Sequence, residues 1–217
     1  IDKDRIIALC YFNMEDFGKA EKLLLALVNK NPEDAELTYT LASNYLAMGF
    51  EPKAITWYEK AVLVDASKSK WFFELGLLYS NTNNYKKAVI AYNKAAELGF
   101  IKGNDFNENL GFAYIYSSDF DNGARLLDDL ISRRPGDKEL IRDVATAFYD
   151  SKNYDKSLDY CQKLLEMDMK DGKALYQAGL CFQKKGMTEK GMQMCDKAIE
   201  MDPSLASLRS KKSLPGM

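Results

Sequence analysis

Cysteine is the side chain with the clearest capacity for chemistry in this chain, because histidine is absent from all 217 residues. Without histidine there is no Ser-His or Cys-His pair and no His-containing metal site. Three of the four cysteines, Cys161, Cys181 and Cys195, fall on apolar helical stripes and have no partner base in the sequence. We therefore expect no catalytic residue, no metal site and no enzymatic activity.

The thiols have a structural interpretation instead. Cys10, Cys161, Cys181 and Cys195 contain no CxxC pair, and buried free thiols behave as small apolar side chains. Free core cysteines favour a reducing, cytoplasmic compartment. Export of the protein is the alternative, because the sequence begins at Ile1 rather than at methionine. A disulfide from Cys181 to either Cys161 or Cys195 is the alternative under oxidising conditions.

Charge and composition exclude several further classes. The 30 basic and 32 acidic residues leave a net charge of −2, so there is no electrostatic footprint for nucleic acid. The longest purely apolar run, residues 23–28, is far shorter than the roughly 20 residues that span a bilayer. No GxxxxGK loop is present to cradle a phosphate. The sequence thus predicts a protein without cofactors that binds neither nucleic acid nor the membrane interior.

An internal repeat determines the architecture. An aromatic residue recurs at spacings of 34, 34, 35, 34 and 34 residues, and a small residue recurs with the same spacings. The aromatic column is Tyr11, Tyr45, Tyr79, Tyr114, Phe148 and Phe182, and the small column is Ala20, Ala54, Ala88, Gly123, Ser157 and Gly191. Within a unit, apolar residues follow helical spacing in two stripes separated by turn residues. Each repeat is therefore predicted to form two helices.

This pattern resembles the tetratricopeptide repeat (TPR) family over about residues 1 to 205. The resemblance implies an all-α, right-handed superhelical solenoid of six helix-turn-helix repeats that acts in protein–protein interaction. The predicted repeats are 1–34, 35–68, 69–103, 104–137, 138–171 and 172–205, followed by a short capping helix and tail over 206–217. Glycine replaces the usual alanine at Gly123 and Gly191, which we expect to weaken those repeats. One extra residue near Gly99 to Gly103 predicts a wider turn.

In this family the first helices line a concave groove. Residues about 130° away from the core stripe of each first helix give the predicted partner-binding groove. Its members are Tyr39, Ser43, Lys70, Phe73, Leu77, Glu108, Phe112, Arg142, Tyr149 and Tyr176. Aromatic side chains on a rigid surface bury much area at little cost in side-chain entropy, which suits capture of a peptide segment or helix.

Two alternatives stay open for these residues and for the function. The rings either bind a partner or pack against neighbouring helices, and the chain either binds other proteins or assembles with its own copies. The Lys and Asn pairs of the chaperone C-terminal carboxylate clamp have no match at the equivalent positions. Acids slightly outnumber bases near the groove, which favours a ligand with apolar anchors and some lysine or arginine.

Overall fold

The computed structural model describes residues 3–210, and this range contains thirteen α-helices, one 3-10 turn and no strand. The helices are α1 (Lys3–Asn13), α2 (Phe17–Lys30), α3 (Ala35–Ala47), α4 (Glu51–Val64), α5 (Ser69–Asn81), α6 (Tyr85–Glu97), α7 (Asn104–Tyr116), α8 (Phe120–Arg133), α9 (Lys138–Asp150), α10 (Tyr154–Met167), α11 (Gly172–Lys184), α12 (Thr188–Met201) and α13 (Ala206–Ser210). The predicted all-α, helix-turn-helix architecture is confirmed.

Helices α1 to α12 alternate as the first and second helix of six repeats. The chain divides into two compact units between Ala113 and Tyr114, inside α7. We call the part before this boundary unit 1 and the part after it unit 2. That residues 1–205 act as a single domain stays a prediction.

Aspartate side chains begin several of the first helices. The carboxylates of Asp34, Asp137 and Asp171 each accept a hydrogen bond of 3.0 Å from the backbone N–H three residues later. Such an N-cap satisfies one of the N–H groups that the first turn of a helix leaves unpaired. These capping residues therefore fix where α3, α9 and α11 begin.

The turn between the two helices of each repeat uses one left-handed residue. The six positions repeat with the period of the chain and have φ between 59° and 86°; they are Glu15, Gly49, Asn83, Ser118, Lys152 and Gly186. Glycine adopts this conformation without strain, whereas a side chain with a Cβ atom does so at a cost. The turns at Glu15 and Lys152 are therefore strained relative to those at Gly49 and Gly186.

Replacing Lys152 by glycine is expected to raise the free energy of unfolding by about 0.5 to 1 kcal/mol, since relief of the left-handed strain exceeds the added entropy of the unfolded chain. Urea unfolding followed by far-UV circular dichroism measures the change. Lys197→Gly is the matched control, because Lys197 is an exposed lysine inside α12 and its replacement should cost about 1 kcal/mol. Destabilisation by both variants would contradict the strain argument.

The core consists of columns that repeat along the chain. One column of second-helix residues is buried in every repeat: Leu24, Tyr58, Tyr92, Leu127, Cys161 and Cys195. Cys161 and Cys195 thus occupy the positions of Tyr58 and Tyr92, which confirms their interpretation as packing residues. Cys181 is buried as well, whereas Cys10 is exposed, so the expectation of a buried thiol is wrong at Cys10.

The small residues of the repeat allow the two helices of a pair to approach closely. In the last repeat, a Cβ atom added at Gly191 would lie 2.4 Å from the carbonyl oxygen of Gly179, and one added at Gly179 would lie 2.8 Å from the carbonyl oxygen of Gly191. Both glycines are buried where α11 crosses α12. The expectation that Gly191 weakens its repeat is therefore wrong, because this crossing has no room for alanine.

Two irregular segments agree with the sequence. Residues 98–103 connect α6 to α7, a longer connection than residues 31–34 between α2 and α3, and Gly99 ends α6 with φ 84°. After α12, the 3-10 turn Pro203–Leu205 places Leu205 in a core cluster with Tyr176, Cys195 and Ala198. The predicted cap is thus present as this turn and α13, and residues 211–217 of the predicted tail lie outside the described part of the chain.

Candidate binding faces of the first helices

In unit 1 the predicted groove residues occupy one face of α3, α5 and α7, which we call the first-helix face. Tyr39 on α3 is half-buried and stacks on Trp71 of α5, with ring centroids 4.7 Å apart and an interplanar angle of 12°. Its hydroxyl donates to Oε1 of Glu74 at 3.2 Å. Burial and the Glu74 carboxylate raise the pKa of this hydroxyl to about 12, so it stays protonated and acts as a donor.

Glu74 is one of the acids that the sequence places at the groove edge, although it is not among the ten predicted groove residues. Its Oε1 atom also lies 3.6 Å from Nζ of Lys70, whose side chain is 70% exposed. Its Oε2 atom is buried and has no hydrogen-bond partner among the described residues. The first-helix face of unit 1 therefore holds a carboxylate with unused accepting capacity beside an exposed lysine.

Phe73 belongs to a second aromatic group in unit 1. Its ring stacks on Phe100 at 4.5 Å and on Phe106 at 5.8 Å, and it also contacts Tyr92. Leu77, Glu108 and Phe112 on the same face are half-buried, as is Ser43, whose hydroxyl lies 3.1 Å from that of Tyr58. The predicted aromatic row is thus partly a packing layer and partly an accessible surface.

In unit 2 an ion pair replaces the aromatic stack. The guanidinium of Arg142 on α9 donates to both carboxylate oxygens of Asp171 at 3.2 and 3.1 Å, and Asp171 is 8% exposed. Burial alone would raise the pKa of the Asp171 carboxyl, but Arg142 and the backbone N–H of Ala174 outweigh it and lower the pKa below its ordinary value. Arg142 is therefore held by the helix cap of the next repeat.

A small cleft of 190 Å³ lies beside this ion pair. Arg142 and Thr146 of α9 and Lys173 and Gln177 of α11 line it. Nε of Arg142 is buried and lies 3.7 Å from Oε1 of the exposed Glu139. Nε2 of Gln177 is also buried and makes no hydrogen bond to any described residue, so the Gln177 amide keeps an unused donor at this cleft.

The two remaining predicted residues of unit 2 have different environments. Tyr149 is half-buried, and its ring makes an edge contact with Tyr154 at 5.5 Å. Tyr176 is only 6% exposed and joins the core cluster of Cys195, Ala198 and Leu205. Tyr176 was predicted to face the groove, but its ring packs mainly inside unit 2, because Leu205 covers it.

One column of the first-helix face has a common role that the sequence analysis missed. At this position Arg5 pairs with Asp34, Tyr39 stacks on Trp71, Phe73 stacks on Phe106, and Arg142 pairs with Asp171. Each partner lies on the first helix of the following repeat or caps that helix, 29 to 33 residues later. The sequence contains this signal as oppositely charged pairs and aromatic pairs at those separations.

Several features of the described residues concern thiol reactivity, metal binding and membrane crossing. Burial and the nearby Cys181 raise the pKa of the Cys161 thiol to about 12, so at neutral pH it is not a thiolate nucleophile. Among the residues described, no group of three or more Cys, Asp or Glu side chains has a metal-binding arrangement. No described helix has the length and apolar character needed to cross a membrane. All four thiols are free, and an oxidative disulfide stays a prediction that thiol titration would test.

Comparison with known sequences identifies the repeat type. A tetratricopeptide repeat profile matches residues 7–70 and 109–172, and a second one matches residues 72–98 and 172–205. The chain is 28% identical over 133 residues to human protein O-mannosyl-transferase TMTC1, covering 60% of this chain and 15% of that protein. It is 24% identical over 159 residues to human general transcription factor 3C polypeptide 3, covering 70% of this chain and 18% of that protein. The chain therefore spans less than a fifth of either human relative.

Solved structures share the fold. YrrB, described as a TPR protein with an unusual peptide-binding site, has a TM-score of 0.56 and 24% identity, covering 87% of this chain and 97% of YrrB. PilW, a type IV pilus biogenesis factor, has a TM-score of 0.53 and 14% identity, covering 94% of this chain and 95% of PilW. The profile matches span more than half of the sequence, and the 34-residue helix pairs agree with them. The chain belongs to the tetratricopeptide repeat family.

Proposed function

We propose that this chain is a non-catalytic interaction scaffold that binds a peptide segment or helix of a partner protein on the first-helix faces of its repeats. The observation that carries the proposal is the face of unit 1, where half-buried and exposed side chains of mixed chemistry follow one another on successive first helices. They comprise Tyr39, Ser43, Lys70, Phe73, Leu77, Glu108 and Phe112. Apolar rings flanked by hydrogen-bonding groups are typical of surfaces that hold peptides.

The charges of this face favour a segment with a basic residue beside an apolar one. Glu74 has an oxygen without a hydrogen-bond partner in the described chain, and the Lys70 amine that approaches it is mostly exposed. A lysine or arginine of the partner would replace a weak surface ion pair by one that the Tyr39 hydroxyl also supports. In unit 2, the unpaired donor of Gln177 favours a carbonyl or carboxylate oxygen instead.

The peptide-binding description of YrrB adds support by analogy, and fold alone does not define function. Homo-oligomerisation through the same faces is the competing function. Light scattering at increasing protein concentration separates the two, since a chain that serves only other proteins stays monomeric.

Selection of random peptides displayed on phage tests the proposal. Synthetic copies of the selected peptides are titrated by fluorescence anisotropy against the parent and against Lys70→Glu and Leu77→Ala. These positions are preferred to Tyr39 and Phe73, whose rings stack on other helices and whose loss would destabilise the fold. We expect Leu77→Ala to weaken binding about tenfold, equivalent to about 1.4 kcal/mol. Lys70→Glu should instead strengthen the binding of a basic peptide, because it removes the lysine that competes for Glu74 and adds a second carboxylate.

Lys86→Glu is the matched control for Lys70→Glu, because Lys86 is an exposed lysine on the second helix α6. It should leave the affinity unchanged, and circular dichroism should show that all variants are folded. Failure to select any peptide, or peptides that bind Lys70→Glu and Leu77→Ala with the same affinity as the parent, would reject the first-helix face as the binding surface.

A further inference from the structure

A solvent-accessible cleft lies on the second helices of unit 1, apart from the proposed first-helix site. It has a volume of 760 Å³, with α4 and α6 as walls and α5 as floor. Its floor is Phe72, Leu75 and Tyr79, a different stripe of α5 from Lys70, Phe73 and Leu77. We call it the second-helix cleft.

Each wall presents a large apolar side chain to solvent. Leu63 on α4 is 82% exposed, and Ile90 on α6 is 69% exposed. Neither side chain contributes to the core at that exposure, yet together they frame an apolar floor. Exposed apolar groups that converge on one concave surface are characteristic of an interaction site, unlike isolated ones scattered over a surface.

The charges around the second-helix cleft compensate one another at its two ends. At one end, Nζ of Lys87 pairs with Oε1 of Glu59 at 2.9 Å, and the Tyr79 hydroxyl donates to the same oxygen. At the other end, Lys94 pairs with Glu97 at 3.2 Å. An occupant with a strongly acidic or basic face would meet no complementary excess of charge. An occupant with complementary charges therefore has an apolar stripe bordered by both acidic and basic residues.

The dimensions favour an elongated occupant. The α6 wall runs from Lys87 to Glu97, which is about 15 Å or three helical turns at 1.5 Å per residue. Leu63 also lines a second cleft of 350 Å³, whose walls include Val28 of α2 and Trp57 of α4. The surface thus continues past Leu63 to α2, which is the second helix of the first repeat. It is longer than a compact small molecule would need.

We propose that the second-helix cleft docks an amphipathic helix of a partner protein. The helix is at least three turns long and carries apolar residues at i, i+3, i+4 and i+7, flanked by acidic and basic residues in balance. Its apolar stripe lies between Leu63 and Ile90 and covers Phe72 of the floor. This mode places a helix in a groove, and it uses a surface separate from the peptide-binding face proposed above.

The probe is a synthetic, hydrocarbon-stapled helical peptide of about 16 residues, with leucine at those four positions on a balanced Glu/Lys background. It carries fluorescein for anisotropy and one benzophenone beside the leucine stripe. We expect saturable binding to the parent protein. Ile90→Glu and Leu63→Glu should each weaken it at least about tenfold, and photo-cross-links should map to α4 and α6.

Ile101→Glu is the matched control, because Ile101 is 86% exposed and does not line the cleft. It should bind the probe like the parent, and so should Lys70→Glu, which tests the first-helix face. An affinity that changes in Lys70→Glu but not in Ile90→Glu would overturn this inference while leaving the proposed function intact.

Three further outcomes would also overturn the inference: no saturable binding of the probe, equal weakening by Ile101→Glu, or cross-links outside α4, α5 and α6. Light scattering completes the test. A parent dimer that dissociates on Ile90→Glu would assign the second-helix cleft to a second copy of this chain instead. Binding of a fluorescent long-chain fatty acid that is lost in Ile90→Glu, together with no binding of the peptide, would assign the second-helix cleft to a lipid.

Discussion

Gly191→Ala is expected to lower the free energy of unfolding by about 2 kcal/mol, although alanine is the better helix former by about 1 kcal/mol. The reason is the crossing of α11 and α12, where the new Cβ atom would lie 2.4 Å from the carbonyl oxygen of Gly179 and 2.8 Å from the backbone nitrogen of Gln183. Neither atom is the end of a flexible side chain. The helices must therefore separate, and Tyr176, Cys195 and Ala198 lose contacts in the core between them.

The matched control is Gly18→Ala in α2, where an added Cβ atom has no neighbour within 4 Å. This variant should be neutral or stabilising by up to about 1 kcal/mol, as helix propensity alone predicts. Urea unfolding of both proteins at one pH measures the difference. A stabilised Gly191→Ala protein would show that the crossing widens without loss of packing.

The sequence predicted the helices well because their cause is periodic. Apolar and small residues that return every 34 residues must share a face, so the aromatic and small columns identified both helices of each repeat. The left-handed turn position was less visible, since only two of its six members are glycine. Glu15 and Lys152 adopt that conformation because the helices on either side dictate it, not because of their own preference.

The binding surfaces were predicted less completely, for a physical reason. Whether Tyr39 faces a ligand or stacks on Trp71 depends on a residue of the next repeat, which a helical wheel of α3 alone does not include. The same holds for Tyr176, which Leu205 of the cap covers. The second-helix cleft was missed because its depth depends on the separation of α4 and α6. Spacing along one helix carries no information about that separation.

Asp171→Ala is expected to lower the free energy of unfolding by about 3 kcal/mol. It removes the N-cap of α11 and leaves Arg142, whose side chain is 21% exposed, without its bidentate partner. Asp171→Asn separates the two effects, because an asparagine oxygen still caps the helix while the negative charge is lost. We expect about 2 kcal/mol for Asp171→Asn, measured by urea unfolding at pH 6.

The pH dependence of this difference identifies its electrostatic part. The pKa of the Asp171 carboxyl is lowered in the folded protein, so its charge stabilises the fold fully above the ordinary carboxyl pKa, and this stabilisation is lost as the pH falls through the folded value. The gap between the parent and Asp171→Asn should therefore narrow between pH 6 and about pH 3.

The matched control for the charge is Asp137→Asn. Asp137 caps α9 with the same 3.0 Å geometry, but its ion pair with Arg134 is more exposed and should contribute under about 1 kcal/mol. Equal costs for the two Asn variants, or a gap that does not change with pH, would show that Arg142 gains nothing from the carboxylate of Asp171. Arg142 would then be available to a ligand. If the pair is strong, a partner instead approaches the Gln177 amide, while Asp171 keeps the Arg142 guanidinium in place.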